Sequence, residues 1–269
     1  MKVRFWGVRG SIPCATPNHV LYGGNTSCVS VEVGHQFIIF DAGSGVRDAG
    51  LYAMENNILH THMFLSHLHM DHILGFPFYG PLWSSQHQLD VYAEHTQHGL
   101  KDTLAHAFAP PLFPIPFSKL PAKIQYHDLE IGHDVMIPDG ICVSSTALNH
   151  PDQATGFRLT YEGKTLCYVT DTEHTPGTLD EGILRLINNA DVLIYDCSYT
   201  DDEYPQHISW GHSTWQEGVR LCRHANVKSL FLFHHDPSHT DDIMDQIAHA
   251  ASQEWSYAFV AKQGMVITV

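Results

Sequence analysis

Apolar residues along this chain recur mainly with a period of two, in short runs that break at glycine, proline or a carboxylate. Residues 2–8 alternate as a first strand that ends in Gly7-Val8-Arg9-Gly10-Ser11. A second glycine turn, Gly23-Gly24-Asn25-Thr26-Ser27, leads into strands at 29–33 and 36–40. Both turns fit plain hairpin chemistry as well as a site. Further strands are predicted at 63–65, 89–93, 141–148, 191–195, 229–233, 256–260 and 264–269, with a hairpin of 156–161 and 166–169 across Glu162-Gly163-Lys164. Helical periodicity covers 46–57, 96–107, 179–188, 215–225 and 240–252. The helix at Trp215 has Ser213 or Thr214 as its N-cap and Glu217 in its first turn. Nothing in the pattern reads as a linker or tandem repeat, so a single domain over 1–269 is expected.

What the apolar runs deliver is more informative than the runs themselves. The run at 63–65 emits three histidines and an aspartate within six residues, His67-Leu68-His69-Met70-Asp71-His72. On a strand end or turn, His67 and His69 point the same way, while Asp71 and His72 face a second position close by. One short loop can therefore serve two metal ions. A solvated histidine-rich loop is the competing reading in a chain with 22 histidines. His150, Asp171, Asp196, His212 and His234 also stand directly after apolar strands or at a helix start, where sheet edges present loops to one rim. His60, His62, His87, His95, His98 and His106 read as surface or packing residues. The segment 75–130, rich in aromatic residues and proline, fits either a rigid connector on the core or a lid.

Composition narrows the classes. The chain has 269 residues, 43% of them hydrophobic, enough for a sizeable core. Twenty-nine acidic against 14 basic residues give a formal charge of −15, which disfavours a broad phosphate-backbone footprint. Extended nucleic acid is therefore not the expected partner. The six cysteines are scattered without a Cys-x-x-Cys pair and read as reduced thiols. No apolar run approaches membrane-spanning length, and a soluble, cytoplasmic protein is expected.

The order His-x-His-x-Asp-His at 67–72 resembles the signature of the metallo-β-lactamase superfamily. Gly211-His212-Ser213-Thr214, Asn25-Thr26-Ser27, Phe40-Asp41-Ala42-Gly43 and the opening Phe5-Trp6-Gly7-Val8-Arg9-Gly10-Ser11-Ile12-Pro13 resemble its phosphodiesterase branch. That branch includes ribonuclease Z and the phosphoribosyl cyclic phosphate phosphodiesterases. The resemblance implies an α/β fold, the four-layer α/β/β/α metallo-β-lactamase sandwich, with a two-metal site at one rim. His67, His69 and His150 would ligate one ion, Asp71, His72 and His234 the other, and Asp171 would bridge. His234 is preferred to His235 on strand register and likeness to the family's last ligand. Zinc suits this set first, with manganese or iron also accommodated. Asp41 is expected to support the metal site, and Asp196 to hold His212 or a ligand imidazole in its tautomer. His174 is a candidate substrate contact with an equally good surface reading.

The implied activity is hydrolysis of a small, cyclic-type phosphodiester by a hydroxide held between two divalent ions. Asp71 would orient that hydroxide, and His212 would protonate the leaving alkoxide. Asp71-His72 departs from the Asp-Cys of many antibiotic-cleaving relatives. An RNA-processing nuclease of ribonuclease Z type is the alternative, although the insert 94–130 offers only Lys101, Lys119 and Lys123 in place of a basic arm. A metal-bearing binding module with incidental turnover is a third reading. Homodimers are common in the resembling branch.

Overall fold

The computed structural model describes residues 1–94 and 97–269. His95, and Thr96 at the start of the predicted helix 96–107, lie outside the described residues. The first half runs β1 (Lys2–Gly7), β2 (Cys28–Val33), β3 (Gln36–Phe40), α1 (Val46–Glu55), β4 (His60–Phe64), α2 (Met70–Ile73), β5 (Gln88–Glu94), α3 (Leu100–Ala107) and β6 (Lys123–Leu129). The second runs β7 (Val135–Ile137), β8 (Ile141–Leu148), β9 (Ala154–Tyr161), β10 (Lys164–Val169), α4 (Glu181–Ile187), β11 (Val192–Asp196), α5 (Trp215–His224), β12 (Leu230–Phe233), α6 (Asp241–Glu254), β13 (Ala258–Val260) and β14 (Val266–Thr268).

Two seven-stranded sheets result, ordered β14-β1-β2-β3-β4-β5-β6 and β13-β12-β11-β10-β9-β8-β7. Period-two alternation with apolar residues at both parities is what covers both faces of each sheet. On β11 and β12, Val192, Ile194, Phe231 and Phe233 enter the core shared by the two sheets, while Leu193, Tyr195, Leu230 and Leu232 pack under the helices. On β3, Ile38 and Phe40 face the shared core, and Phe37 and Ile39 join the core that includes α1 and α3 residues. The layers are therefore helix, sheet, sheet, helix, as the resemblance implies.

The sequence reading passes over β6 and β7. β6 is an edge strand whose side chains stay largely half-buried or exposed, so it lacks the apolar run that marks the central strands. The aromatic segment packs as a connector: Phe76, Tyr79, Leu82 and Phe108 are buried in the outer core of the first sheet, with Phe113 and Phe117 against them.

The site is positioned by strand direction. β3 through β6 are mutually parallel, and so are β10 through β13. Their carboxyl ends gather at one rim, where an α/β sheet presents its loops to a ligand. Asp41, Asp171 and His234 follow β3, β10 and β12, and each stops its strand with a left-handed backbone, φ +60°, +57° and +59°. That conformation is costly for a side chain carrying a Cβ and clusters at functional sites.

Candidate metal centre

Two groups of ligand atoms form on the rim. The first is His67, His69 and His150; the second is Asp71, His72, Asp171 and His234. The extended backbone at His69 turns into α2, so His67 and His69 stay with the first group while Asp71 and His72, on the helix, join the second.

The second group is buried throughout. His72 Nε2 lies 3.3 Å from His234 Nε2, 3.3 Å from Asp71 Oδ2 and 3.2 Å from Asp171 Oδ2. His234 Nε2 lies 3.4 Å from each of those two oxygens. These five separations, with the two carboxylate oxygens within 4.8 Å of each other, leave room at their centre for an ion about 2.0–2.4 Å from each atom, close to the bond lengths zinc makes to imidazole and carboxylate. The tautomers suit that use. His72 Nδ1 donates to Asp41 Oδ2 at 2.7 Å. Ser198 Oγ, 2.8 Å from Asp196 Oδ1, is 3.1 Å from His234 Nδ1 and accepts its proton. Both Nε2 atoms are thereby aimed at that centre.

Asp41 is fully buried and accepts four hydrogen bonds: Ser66 N at 2.7 Å, Ser66 Oγ at 2.8 Å, the Tyr168 hydroxyl at 2.8 Å and His72. Burial works to lower the His72 pKa, but the carboxylates of Asp171, Asp71 and Asp41 outweigh it and raise it well above the ordinary histidine value. Asp71 and Asp171 are held well below the carboxylate range; burial opposes this, and the neighbouring histidines prevail.

The first group is more open. His150 Nδ1 donates to Gly211 O at 2.9 Å, which leaves Nε2 facing His69 Nδ1 at 3.2 Å. His67 Nε2 is buried and has no hydrogen-bond partner among the described residues. An orphaned buried nitrogen costs roughly 1–3 kcal/mol, which coordination would relieve. His67 Nε2 is 3.8 Å from Asp171 Oδ1, while Asp171 Oδ2 faces the second group. The carboxylate thus turns one oxygen to each group. Burial lowers the pKa of His67 well below the ordinary value, and that of His150 also falls.

His212 stacks on His234 with ring centroids 4.9 Å apart, and its Nδ1 donates to Asp196 Oδ2 at 2.9 Å. Burial again works downward, and Asp196, Asp171 and Asp71 together raise its pKa to about 9. His174 lies off the two groups: its ring stacks on Tyr204 at 4.1 Å and its Nδ1 meets Ser213 Oγ at 2.8 Å. His235 points away, with Nε2 on Ala261 O at 2.9 Å, so His234 is the histidine that faces the second group.

Both glycine turns left open by the sequence belong to the rim. Ser11 N donates to Asp71 Oδ2 at 2.7 Å. A Cβ on Gly10 would stand 2.4 Å from His234 Cε1, so only glycine admits that ring. Gly211, at φ +84°, lies equally close to His150, a Cβ there falling 2.2 Å from its Nδ1. Arg9 is fully buried and donates to the carbonyls of Gly23, Asp236 and His239, fastening the turn to the loop after β12. Arg9, Ser11, Ser66, Tyr168 and Ser198 escaped the sequence reading. The signal available was for Arg9 and Ser11, a charge and a small polar residue inside a glycine turn.

Comparisons with known proteins bear on the family and the fold. Residues 37–235 match the family described as β-lactamase superfamily domain. The chain belongs to the metallo-β-lactamase superfamily. A ribonuclease Z of Archaeoglobus fulgidus is 22% identical, the alignment covering 100% of this chain and 97% of that protein. Among solved structures, the metallo-β-lactamase fold protein YhfI of Bacillus subtilis superposes with a TM-score of 0.74 at 20% identity, over 99% of this chain and 98% of that one. A diphosphatase from the PhnP family gives 0.73 at 16% identity, covering 100% and 97%. The resemblance to the phosphodiesterase branch holds, and the protein is a metal-dependent hydrolase. No helix among the described residues is long and apolar enough to cross a membrane.

Proposed function

We propose that the protein is a phosphodiesterase acting on a small phosphodiester at a two-metal site. His67, His69 and His150 would hold one divalent ion, Asp71, His72 and His234 a second, with Asp171 between them; zinc fits the donor set best. Such ions supply Lewis acidity, polarising phosphoryl oxygens and making water acidic near neutral pH. The observation that carries the reading is Asp171, whose two oxygens face the two groups, beside a histidine anchored at the same rim.

The chain's own groups divide the remaining work. Asp71, its Oδ2 fixed by the Ser11 amide, orients the attacking water. His212 keeps Nδ1 on Asp196, so its Nε2 is the atom free to donate a proton to the departing oxygen. A cavity of about 380 Å³ opens beside His67 and His69 and is bordered by Glu94, Gln97, Asp152 and Gln153. Its size suits a nucleoside or sugar group. No lysine or arginine lines it among the described residues, which favours a hydroxyl-bearing organic group over a polyanion. The six cysteines are free thiols, which supports a cytoplasmic setting.

The ribonuclease Z relative favours a second reading, cleavage of RNA. A formal charge of −15 and the acidic cavity weigh against it. Profiling the zinc- and manganese-loaded protein on cyclic nucleotides, cyclic phosphosugars, aryl diesters, structured RNA, β-lactams and thioesters separates the readings. Turnover of a small diester that responds weakly to salt is expected, whereas RNA cleavage at the highest rate, falling steeply with salt, would replace it. Faster β-lactam or thioester turnover would overturn both.

A further inference from the structure

Three of the histidines away from the rim, His60, His62 and His127, gather in one place. At the start of β4, His60 and His62 share one strand face, and the register sets His62 beside Asp90 on β5 and Tyr92 beside His127 on β6. Alternation places all four polar groups on the side of the sheet that Phe64 and Leu129 present to the shared core. A ring nitrogen from each of His60 and His62 and a carboxylate oxygen of Asp90 lie within 4.8 Å of one another. His127 Nε2 donates to Asp90 Oδ1 at 2.8 Å, and His60 Nε2 meets Oδ2. The His60 and His62 rings are 4.4 Å apart.

His62 makes this more than a solvated cluster. Its ring is buried, 3% exposed, and Nε2 has no hydrogen-bond partner among the described residues. Burial, reinforced by His60, pushes its pKa down to about 4, so the ring is neutral with a lone pair at pH 7. Asp90 is held below the usual carboxylate range: burial opposes this, and the hydrogen bonds from His127, His60 and Gln88 outweigh it. His60 and His127 are each 38% exposed, which leaves a path from water.

We propose that His60, His62 and Asp90 form a further metal site, for a late first-row divalent cation such as Zn²⁺, at the end of the sandwich opposite the rim, with His127 holding the Asp90 carboxylate in place. Imidazole with one carboxylate suits such ions and not the all-oxygen preference of Mg²⁺ or Ca²⁺. Coordination through His60 Nε2 replaces its hydrogen bond to Asp90, the neutral imidazole carrying its hydrogen on Nδ1 instead. Bound there, the ion ties β4 to β5 and, through the His127–Asp90 hydrogen bond, reaches β6, which has no further neighbour among the described residues.

The test uses protein already saturated at the rim. Titration with Zn²⁺, followed by elemental analysis, is expected to show one further equivalent with a Kd of about 1–100 µM, and added Mg²⁺ in excess should not compete. Asp90→Asn and His60→Gln should each weaken that equivalent at least tenfold and leave rim metal content and hydrolysis unchanged. In the wild-type protein, the imidazole NMR resonances of His60 and His127 should move with the added equivalent. Absence of the extra equivalent, its retention within twofold in both folded variants, or unmoved His60 and His127 resonances would overturn the proposal. The resonances decide the matter even if a variant fails to fold.

Discussion

The two ligand groups on the rim place their histidines under opposed electrostatics, His67 and His150 being pushed towards the neutral form and His72 towards the charged one. In the open group, burial drives His67 and His150 towards neutrality, so their lone pairs are ready. In the buried group the same desolvation acts on His72, yet three carboxylates overcome it and favour the imidazolium. The difference is one of local charge: Asp71, Asp171 and Asp41 all bear on the buried His72, whereas the open group meets one shared oxygen of Asp171 and the solvent-exposed Asp152 carboxylate beside His69. A proton and a dication are alternative occupants of the buried group. Filling it therefore releases a proton, and its apparent affinity should climb with pH more steeply than that of the open group.

Removing the residue common to both groups should have the largest effect. Asp171→Ala is expected to lower kcat/KM by about 10³-fold or more, since several kcal/mol of charge stabilisation depend on both ions. Elemental analysis should show metal falling from near two ions to one or fewer; two retained ions with full activity would refute the shared role. His212→Ala comes next, with both ions retained. Its loss should reach about 10²–10⁴-fold on alkyl or ribose diesters and be small on nitrophenyl diesters, which leave unaided. Equal losses across leaving groups would mean that His212 binds the phosphoryl group without donating a proton.

A smaller change should separate the two groups. Asp41→Asn removes the acceptor directly behind His72 and reaches the open group only through Ser66 Oγ, 3.1 Å from His67 Nδ1, so competition with a chelator should reveal about 10- to 100-fold weaker binding of one ion and a much smaller change in the other. Parallel weakening of both ions would show that the groups do not act apart.

The mildest expectation concerns stability of the chelated protein. His67, His150, His62 and His235 have folded pKa values below their unfolded value of about 6.5. Their contribution is present above that pH and is lost as pH falls toward the depressed values, about 4 for His62 and about 3 for His235. His72 and His212 are raised, so their contribution is present below pH 6.5 and is lost as pH climbs, for His212 through about 9. Denaturant midpoints should therefore peak near pH 6.5 and fall on both sides, by up to about 1.4 kcal/mol per group per pH unit. A flat profile between pH 5 and 9 would contradict the opposed shifts.

Much of this rim was legible because its ligands stand where apolar runs stop. His67 to His72, His150, Asp171 and His234 are each announced by a buried strand ending in a polar residue, which is unfavourable in a core without a partner. Ser66, Tyr168 and Ser198 were not legible: they lie among ordinary strand and loop residues, and only the packing of the two sheets brings Tyr168 to Asp41 and Ser198 to His234. The fold shows the same division. Central strands with both faces covered are evident as apolar runs, while the edge strand β6 and short β7 are set by pairing with neighbours. His60 and His62 carry a visible two-residue spacing, but Asp90 and His127 reach them through sheet register, which a single sequence does not display.

The order in which the ligands occur along the chain has a consequence for biosynthesis. A ribosome releases His67, His69, Asp71 and His72 long before His234, and the turn at Gly10 that receives the His234 ring must wait for that residue as well. Until β12 is docked, the histidine loop is an incomplete chelator without its buried half. The buried half is therefore complete only once β12 has docked, whereas His67, His69 and His150 are all present in the chain 84 residues earlier.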